Sequence, residues 1–543
     1  MNSMTKRTAA ISAACALILS TLSSCGSKEC TESYKGDYRS DVHSNNNSIV
    51  SVPQTRPDYE SDGYSDDKNY ATYPSYNEEY KKYTEAGFRD PHAEPLSTFS
   101  VDVDTASYSN VRRLLEDGNF VPEDAVRAEE FINYFDYDYP DPEEGRIFGD
   151  YVEMADCPWN PANKLMMIGI QGKRITDKEL PPSNLVFLID SSGSMASYDK
   201  LPLVQTAFSM LAEKLTENDR ISIVTYAGST DTRIAGASGR DKDDILEALY
   251  SITASGGTNG EGGIQKAYKL AEKYFIEGGN NRVILATDGD LNIGASSEEE
   301  LVKLIKSKRD NGIYLSVLGF GTGNFKDNKL EAVADNGNGN YSYIDSVDEA
   351  HRVLVQEMEG TLYTIAKDVK IQVEFNPSRI KSYRLIGYDN RLMNAEDFYD
   401  TTKDAGEVGA GHSVTALYEV ELADQGDTYR GIQLEFAAEH ENAPVEDNGR
   451  SELCKLSVTY KPAGGDRDIY ESQLFGMEKY NKAPSESMKL ASAAAEFAML
   501  LRNSEYKGSS SFGYVIDTAN SIESTDKTTE LSGLARTAER IYS

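Results

Sequence analysis

The chain has 543 residues, which at about 150 residues per domain predicts two or three domains. Hydrophobic residues make up 39% of it, which is enough for a sizeable core. Its 89 aspartates and glutamates outnumber its 55 lysines and arginines, so the formal net charge is -34. A chain this acidic is repelled by nucleic-acid phosphates and by anionic lipid surfaces, which argues against both as direct partners.

The N-terminus has the pattern of a secretory signal over residues 1–24. Lys6 and Arg7 precede an apolar run at 8–22 that is too short to span a membrane comfortably. The sequence Leu-Ser-Ser-Cys that ends at Cys25 resembles a bacterial lipobox, whose cysteine is lipidated after cleavage. This resemblance implies an extracytoplasmic lipoprotein with a lipid anchor in the membrane, at the cell surface or facing the periplasm. The alternative is an ordinary signal peptide with a chance cysteine.

Residues 25–95 are polar, charged and poor in aliphatic side chains. Such a segment cannot bury enough apolar area to offset its chain entropy, so it predicts a disordered tether. The cysteines that follow Cys25 have no metal-ligand spacing. Cys30, Cys157 and Cys454 permit at most one disulfide within the chain, and whether Cys157 pairs with Cys454 stays open.

Residues 96–180 predict an α+β region. Thr98–Asp104 alternates with period two, as a half-buried strand does, and helices are predicted at 107–117 and 123–135. Asp102 and Asp104 would share one face of that strand. A metal or acid pair is one interpretation of them, and a solvated strand face is the one we favour.

Residues 181–366 alternate short apolar runs with amphipathic helices. The predicted strands lie at 185–189, 221–226, 283–286 and 313–319, and the predicted helices at 200–215, 241–252, 262–275, 297–310 and 347–365. This alternation is typical of a doubly wound α/β fold, a mostly parallel sheet covered on both faces. Ligands of such sheets bind beyond the carboxyl ends of the strands.

Residues 367–543 predict a β-rich or α+β domain. Its strands are predicted at 369–375, 382–392, 414–422, 432–436 and 453–460, and a late helix at 487–502. We expect strands before residue 180 to pair with strands after residue 366 in one sandwich. The α/β unit would then be an insertion between the two halves of that sandwich.

Oxygen-bearing side chains follow the first buried strand. Asp190, Ser192 and Ser194 alternate in Asp-Ser-Ser-Gly-Ser, so their side chains can converge on one point. Thr258 lies in the flexible loop Gly-Gly-Thr-Asn-Gly, and Asp288 follows a later apolar strand in Thr-Asp-Gly. Hard cations such as Mg²⁺ prefer oxygen ligands of this kind. The pattern therefore predicts a divalent cation at this edge of the sheet.

These three motifs, in this order, resemble the metal-ion-dependent adhesion site of von Willebrand factor A domains, over about residues 184–364. The resemblance implies a Rossmann-like fold that binds Mg²⁺, or alternatively Mn²⁺ or Ca²⁺. The ligands it implies are Asp190, Ser192, Ser194, Thr258 and Asp288. Three hydroxyls and two carboxylates leave the ion under-neutralised with an exchangeable position. An Asp or Glu of a protein partner can complete the shell.

Motifs outside this domain resemble a family of bacterial lipoproteins described as YfbK-like von Willebrand A proteins. The N-terminal motifs lie at 99–108 and 132–135, and the C-terminal ones at 404–412 and 490–501. The match runs from about residue 96 to the end of the chain. This resemblance indicates the domain arrangement of the chain, but it does not indicate a biochemical mechanism.

Three functions are consistent with the sequence. The first is an adhesion, receptor or scaffold protein that engages a partner through the cation. The second is a structural envelope component whose cation only stabilises its fold. The third is a hydrolase, in which the metal would activate water. Ser197 and Lys200 also fit Ser-x-x-Lys, and His412 with Glu407 invites a catalytic interpretation, although we favour a loop position for this histidine. The companion motifs Lys-Thr-Gly and Ser-Asp-Asn are missing from the sequence, so we predict no catalytic residue.

Overall fold

The structure is a computed structural model that describes residues 70–73, 78–175, 180–258, 260–289, 298–322, 326–357, 360, 363–401, 403, 405–423, 452–465 and 467–543. The signal at 1–24, Cys25, most of the predicted tether, Asp404 and the predicted strand at 432–436 lie outside the described residues. Within the described part of the chain, no helix is both long enough and apolar enough to cross a membrane.

The N-terminal region already carries ordered structure before residue 96. Its elements are β1 (Tyr70–Tyr73), β2 (Glu78–Lys81), β3 (Leu96–Ser100), α1 (Ala106–Glu116), α2 (Ala128–Asn133), β4 (Phe148–Asp156) and β5 (Lys164–Gly172). Glu78 and Tyr80 are buried, and Glu78 forms an ion pair of 3.0 Å with Arg113 of α1. Ordered structure therefore starts earlier than the predicted tether boundary at 95. The helix predicted at 123–135 is divided into a short 3-10 turn and α2.

The central region is the predicted doubly wound α/β unit. Its elements are β6 (Ser183–Asp190), α3 (Leu201–Lys214), β7 (Arg220–Tyr226), β8 (Thr230–Ser238), α4 (Lys242–Tyr250), α5 (Gly260–Lys273), β9 (Asn280–Thr287), α6 (Glu298–Arg309), β10 (Ile313–Phe320), α7 (Asp327–Asn336), β11 (Tyr341–Ile344) and α8 (Val347–His351). The strands form one sheet in the order β11-β10-β9-β6-β7-β8. The pairs among β11, β10, β9, β6 and β7 are parallel, and β8 runs antiparallel to β7 at one edge.

Both faces of this sheet are covered, as the apolar runs predict. Along β6, Val186 and Leu188 join a core that includes residues of α5 and α6. Leu185 and Phe187 point to the other face and join a core that includes residues of α3 and α4. Side chains alternate between the faces of a strand, so a strand buried on both faces must be apolar throughout.

Some elements of the central region differ from the prediction. Strands β8 and β11 and helix α7 were not predicted. Every second residue at the start of β8 is exposed, and β11 has only four residues. The helix predicted at 347–365 is also shorter. Among the described residues, its first α-helical part ends at His351 and is followed by a π-helical turn at Arg352–Gln356, and strand β12 begins at Thr364.

The C-terminal region completes the sandwich begun by the N-terminal region. Its elements are β12 (Thr364–Phe375), β13 (Ile380–Leu385), β14 (Leu392–Met393), β15 (Val408–Gly409), β16 (Ser413–Leu422), β17 (Glu452–Pro462), β18 (Ile469–Gly476), α9 (Glu486–Leu501), α10 (Phe512–Ser521) and α11 (Asp526–Tyr542). One sheet has the order β14-β3-β12-β17-β18, with β15 beside β12, and the other has the order β13-β16-β5-β4. A shared apolar core joins the two sheets.

The pairing of β3 with β12 and of β5 with β16 confirms that the central unit is inserted between two halves of one sandwich. The helix predicted at 487–502 is α9. Helices α10 and α11 were not predicted, and their apolar residues join the same core as those of α9.

The two interpretations of Asp102 and Asp104 were both wrong. Strand β3 ends at Ser100, so neither aspartate lies on a strand face. The guanidinium of Arg391 forms ion pairs with both, at 3.2 and 3.3 Å, and Asp104 also accepts a hydrogen bond from the backbone N–H of Tyr341. These aspartates join the flanking region to the central unit.

Candidate metal site

The first predicted ligands lie where strand β6 ends. Asp190 is the last residue of the strand and is fully buried, and its Oδ1 accepts a hydrogen bond of 2.8 Å from the backbone N–H of Ser192. The chain continues as a 3-10 turn at Gly193–Ala196, and the hydroxyls of Ser192 and Ser194 are hydrogen-bonded at 2.9 Å. Ser192 is buried and Ser194 is exposed. Three of the five predicted ligands thus lie together, with Ser194 on the solvent side.

The loop that carries Thr258 is fastened to this turn by its backbone. The N–H of Gly193 donates to the carbonyl oxygen of Gly256 at 3.0 Å, and the N–H of Ser255 donates to that of Ser191 at 2.8 Å. Gly256 has a φ of +82°, a conformation that favours glycine. The loop therefore brings the half-buried Thr258 to the edge of the sheet where Asp190 lies.

The last predicted ligand, Asp288, comes directly after β9, the strand beside β6. It is 2% exposed, and its Oδ2 accepts a hydrogen bond of 2.9 Å from Nζ of Lys200. Its Oδ1 is buried and has no hydrogen-bond partner among the described residues. The preceding residue, Thr287, donates through Oγ1 to Oδ2 of Asp190 at 3.4 Å, which ties the two strand ends together.

The electrostatics of the site favour a cation. Burial and, to a lesser extent, the neighbouring carboxylate of Asp288 raise the pKa of Asp190 to about 6, although the hydrogen bond from the N–H of Ser192 lowers it. Lys200 supplies one counter-charge, but the second buried carboxylate and an oxygen with no partner among the described residues remain unfavourable unless a further counter-charge is present. A divalent ion supplies that charge and favours the ionised form of both side chains.

The donor set fits a hard divalent cation, because it combines carboxylate and hydroxyl oxygens. No three His, Cys, Asp or Glu side chains are grouped as metal ligands within the described ranges. The hydroxyls of Ser192, Ser194 and Thr258 would therefore have to supply the remaining ligands. When bound, the ion would supply a Lewis-acidic position for an external carboxylate.

The sequence placed Lys200 only in a Ser-x-x-Lys pattern and did not predict its position beside the candidate ligands. Its side chain is only 11% exposed, and its ammonium contacts Asp288 of the predicted ligand set. The sequence shows the lysine at the start of a helix but no pattern that would direct it towards residue 288. A Ser-x-x-Lys enzyme site is not supported, because the ammonium is already engaged by Asp288.

The other candidates of the sequence lie elsewhere. Glu407 accepts hydrogen bonds from Asn338 at 2.8 Å and from Thr364 at 2.9 Å, and Asn338 precedes β11 at the edge of the sheet opposite the candidate site. Burial lowers the pKa of His412. Cys157 and Cys454 are buried free thiols, so the disulfide left open by the sequence is not formed.

Comparisons with known protein families agree with this architecture. Three family models match the chain. They are "von Willebrand factor" at residues 74–167, "von Willebrand factor type A domain" at 184–357, and "Uncharacterized protein YfbK, C-terminal" at 360–541.

Two relatives among known proteins show how far the similarity extends. The Escherichia coli protein YfbK is 40% identical over 455 residues, which cover 82% of this chain and 78% of that protein. Human inter-alpha-trypsin inhibitor heavy chain H3 is 31% identical over 161 residues, which cover 28% of this chain and 18% of that protein.

Two solved structures match parts of the chain at low identity and low TM-score. A von Willebrand factor type A protein from Catenulispora acidiphila is 13% identical, with a TM-score of 0.40, over 75% of this chain and 97% of that one. Proximal thread matrix protein 1 from the mussel byssus, solved with a zinc-occupied MIDAS motif, is 24% identical, with a TM-score of 0.28, over 33% of this chain and 45% of that one. Given the E. coli relative and the two domain matches, the chain belongs to the YfbK family, with a von Willebrand factor type A domain between its flanking regions.

Proposed function

We propose that this protein is a membrane-anchored extracytoplasmic lipoprotein that binds a protein partner through a divalent cation. Von Willebrand factor type A domains typically mediate protein–protein interactions and often depend on a metal. Here the cation would be Mg²⁺, or alternatively Mn²⁺ or Ca²⁺. It would be held by Asp190, Ser192, Ser194, Thr258 and Asp288. An Asp or Glu side chain of the partner would complete its coordination shell.

The observation that carries this proposal is the buried Oδ1 of Asp288, which has no hydrogen-bond partner in the part of the chain that the structure describes. Leaving a buried carboxylate oxygen without a partner is costly, so such an oxygen is expected to have a ligand in the functional protein. It belongs to the same strand edge as Asp190 and the hydrogen-bonded hydroxyls of Ser192 and Ser194. The exposed Ser194 leaves the proposed ion open to a partner.

The anchoring part of the proposal rests on the sequence. The positive start, the short apolar run and the Leu-Ser-Ser-Cys ending at Cys25 support export and lipidation. Mass spectrometry of the protein from membranes would test it, because a lipidated chain starts at Cys25 and carries the mass of its acyl groups. A chain that starts elsewhere without lipid would contradict the anchor but leave the cation site untouched.

The binding part is tested by affinity capture from envelope extracts in Mg²⁺ or EDTA, with the chain from Gly26 onward. We expect a partner that is retained only with Mg²⁺ and is lost with Asp190→Ala. The control is Asp310→Ala, which removes the same charge from a side chain that is 66% exposed at the opposite edge of the sheet. Metal-dependent capture that survives Asp190→Ala would contradict the assignment of the site.

A second candidate is a structural role, in which the cation only stabilises the fold. The full burial of Asp190 and near-full burial of Asp288 favour it, because an ion between them would hold β6 and β9 together. A large rise in Tm with Mg²⁺ and no metal-dependent partner would support this role. A metal-dependent partner would support the binding role instead.

A further inference from the structure

A fixed positive charge lies beside the candidate cation site. Nζ of Lys200 donates to Oδ2 of Asp288 at 2.9 Å, and the two side chains are 11% and 1% exposed. The other oxygen of the same carboxylate is the unpartnered Oδ1. A single carboxylate thus has an ammonium on one oxygen and an open coordination position on the other.

Packing holds the lysine in this place. Its aliphatic stem lies against Gly321, where an added Cβ would come within 2.3 Å of Cγ and 2.4 Å of Cε of Lys200. Gly321 has a φ of +74°, and its carbonyl oxygen accepts a hydrogen bond of 2.8 Å from the hydroxyl of Tyr343. The lysine is also the residue from which α3 begins, with its own N–H donating to the carbonyl of Ser197 at 3.1 Å. The ammonium is therefore a built-in part of the site.

Lys200 changes the net charge of the site when an ion is bound. By formal charge Asp190 and Asp288 balance a divalent cation, so the excess of positive charge expected from the sequence comes from Lys200, with which the loaded site keeps one positive charge. Like charges a few ångströms apart in a buried site repel strongly, so the lysine weakens binding of the ion by itself. The same excess charge attracts an anionic ligand to the ion.

We infer that Lys200 determines the specificity of the site by coupling the binding of the cation to the binding of a carboxylate. This inference rests on the proposed function and deepens it. With the lysine present, the ion binds weakly alone and tightly together with an anionic ligand. A merely structural role, in which Lys200 only compensates the buried Asp288, would not produce this coupling.

The test is direct titration of the full-length, detergent-solubilised chain with Mn²⁺, followed by the electron paramagnetic resonance signal of the free ion, with and without acetate. Lys200→Gln removes the charge but keeps an N–H donor for Asp288. We expect it to tighten Mn²⁺ binding without acetate by about tenfold and to reduce the gain in affinity that acetate gives the wild type. Lys200→Arg keeps the charge and should behave as the wild type does.

The matched control is Lys303→Met, which removes a lysine charge from a side chain that is 78% exposed. If Lys200→Gln does not fold, as judged by circular dichroism, Lys200→Met is measured in its place. Unchanged or weaker Mn²⁺ binding in the charge-removing variant would overturn the inference while leaving the cation site intact. Equal Mn²⁺ binding by the wild type and Asp190→Ala would instead show that the ion is bound elsewhere, and would overturn both proposals.

Discussion

The guanidinium of Arg391 forms an ion pair of 3.0 Å with Glu331, which joins the C-terminal flank of the sandwich to helix α7 of the central domain. The same guanidinium contacts Asp102 and Asp104 of the N-terminal region and Asp335 of α7, all within 3.3 Å. One arginine whose side chain is only 10% exposed therefore compensates four carboxylates from two other parts of the chain.

Replacing this arginine should destabilise the whole described unit. Arg391→Leu would leave four carboxylates with no counter-charge, which typically costs about 3–5 kcal/mol when a buried ion pair is broken. Urea unfolding measures this loss. The control is Arg174→Leu, whose ion pair with Asp141 joins side chains that are 57% and 64% exposed and is expected to change stability by about 1 kcal/mol or less. Equal effects of the two substitutions would contradict the central role of Arg391.

Glu496 should make stability depend on pH. It is 1% exposed in α9, and its Oε1 has no hydrogen-bond partner among the described residues. Burial raises its pKa from 4.5 to about 8. Between these values the native state holds a proton that the unfolded chain has released. The free energy of unfolding should therefore fall as pH rises through this range, by up to about 1.4 kcal/mol per pH unit.

Glu496→Gln should remove this part of the pH dependence, because an amide has no proton to lose. Urea unfolding at a series of pH values measures the slope in both proteins. Glu299→Gln, at a side chain that is 88% exposed, serves as the control and should keep the wild-type slope. Identical slopes for Glu496→Gln and the wild type would show that another group causes the pH dependence.

Metal should stabilise the protein through Asp190. An ion bound only by the native state at about 100 times its Kd adds about 2.7 kcal/mol to the free energy of unfolding. Thermal unfolding with and without Mg²⁺ should show a rise in Tm for the wild type and none for Asp190→Ala. A rise of the same size in Asp190→Ala would place the stabilising ion outside the predicted ligands.

Tyr198 should contact the partner directly. It lies in the segment between the Ser194 hydroxyl and Lys200, and it is 87% exposed. Exposed tyrosines at the centre of an interface often carry much of the binding energy, so Tyr198→Ala should weaken partner binding by about tenfold. The Mn²⁺ affinity and the Tm of the Tyr198→Ala variant should match those of the wild type. Phe120→Ala, at a side chain that is 68% exposed in the N-terminal region, is the control and should leave partner binding unchanged.

Much of the central fold could be predicted because its signals are local. The apolar run at 185–189 is buried on both faces in β6, and the predicted strand at 313–319 is β10 almost to the residue. The prediction of one helix over 347–365 was wrong. A continuing apolar pattern does not show where an α-helix changes to the π-helical turn that begins at Arg352. Strand β8 was not predicted because many of its residues are exposed, and its extended conformation depends on pairing with β7.

The sequence by itself indicated the alternation of strands and helices in the central unit, the insertion of that unit between the two flanks and five candidate ligands. Side-chain periodicity and motif spacing are properties of neighbouring residues, so they can be seen in the sequence. Only the tertiary structure decided that Lys200 contacts Asp288 and that Arg391 contacts Asp102, Asp104, Glu331 and Asp335. Those contacts join residues far apart in the chain, and they depend on how strands and helices pack rather than on any local pattern.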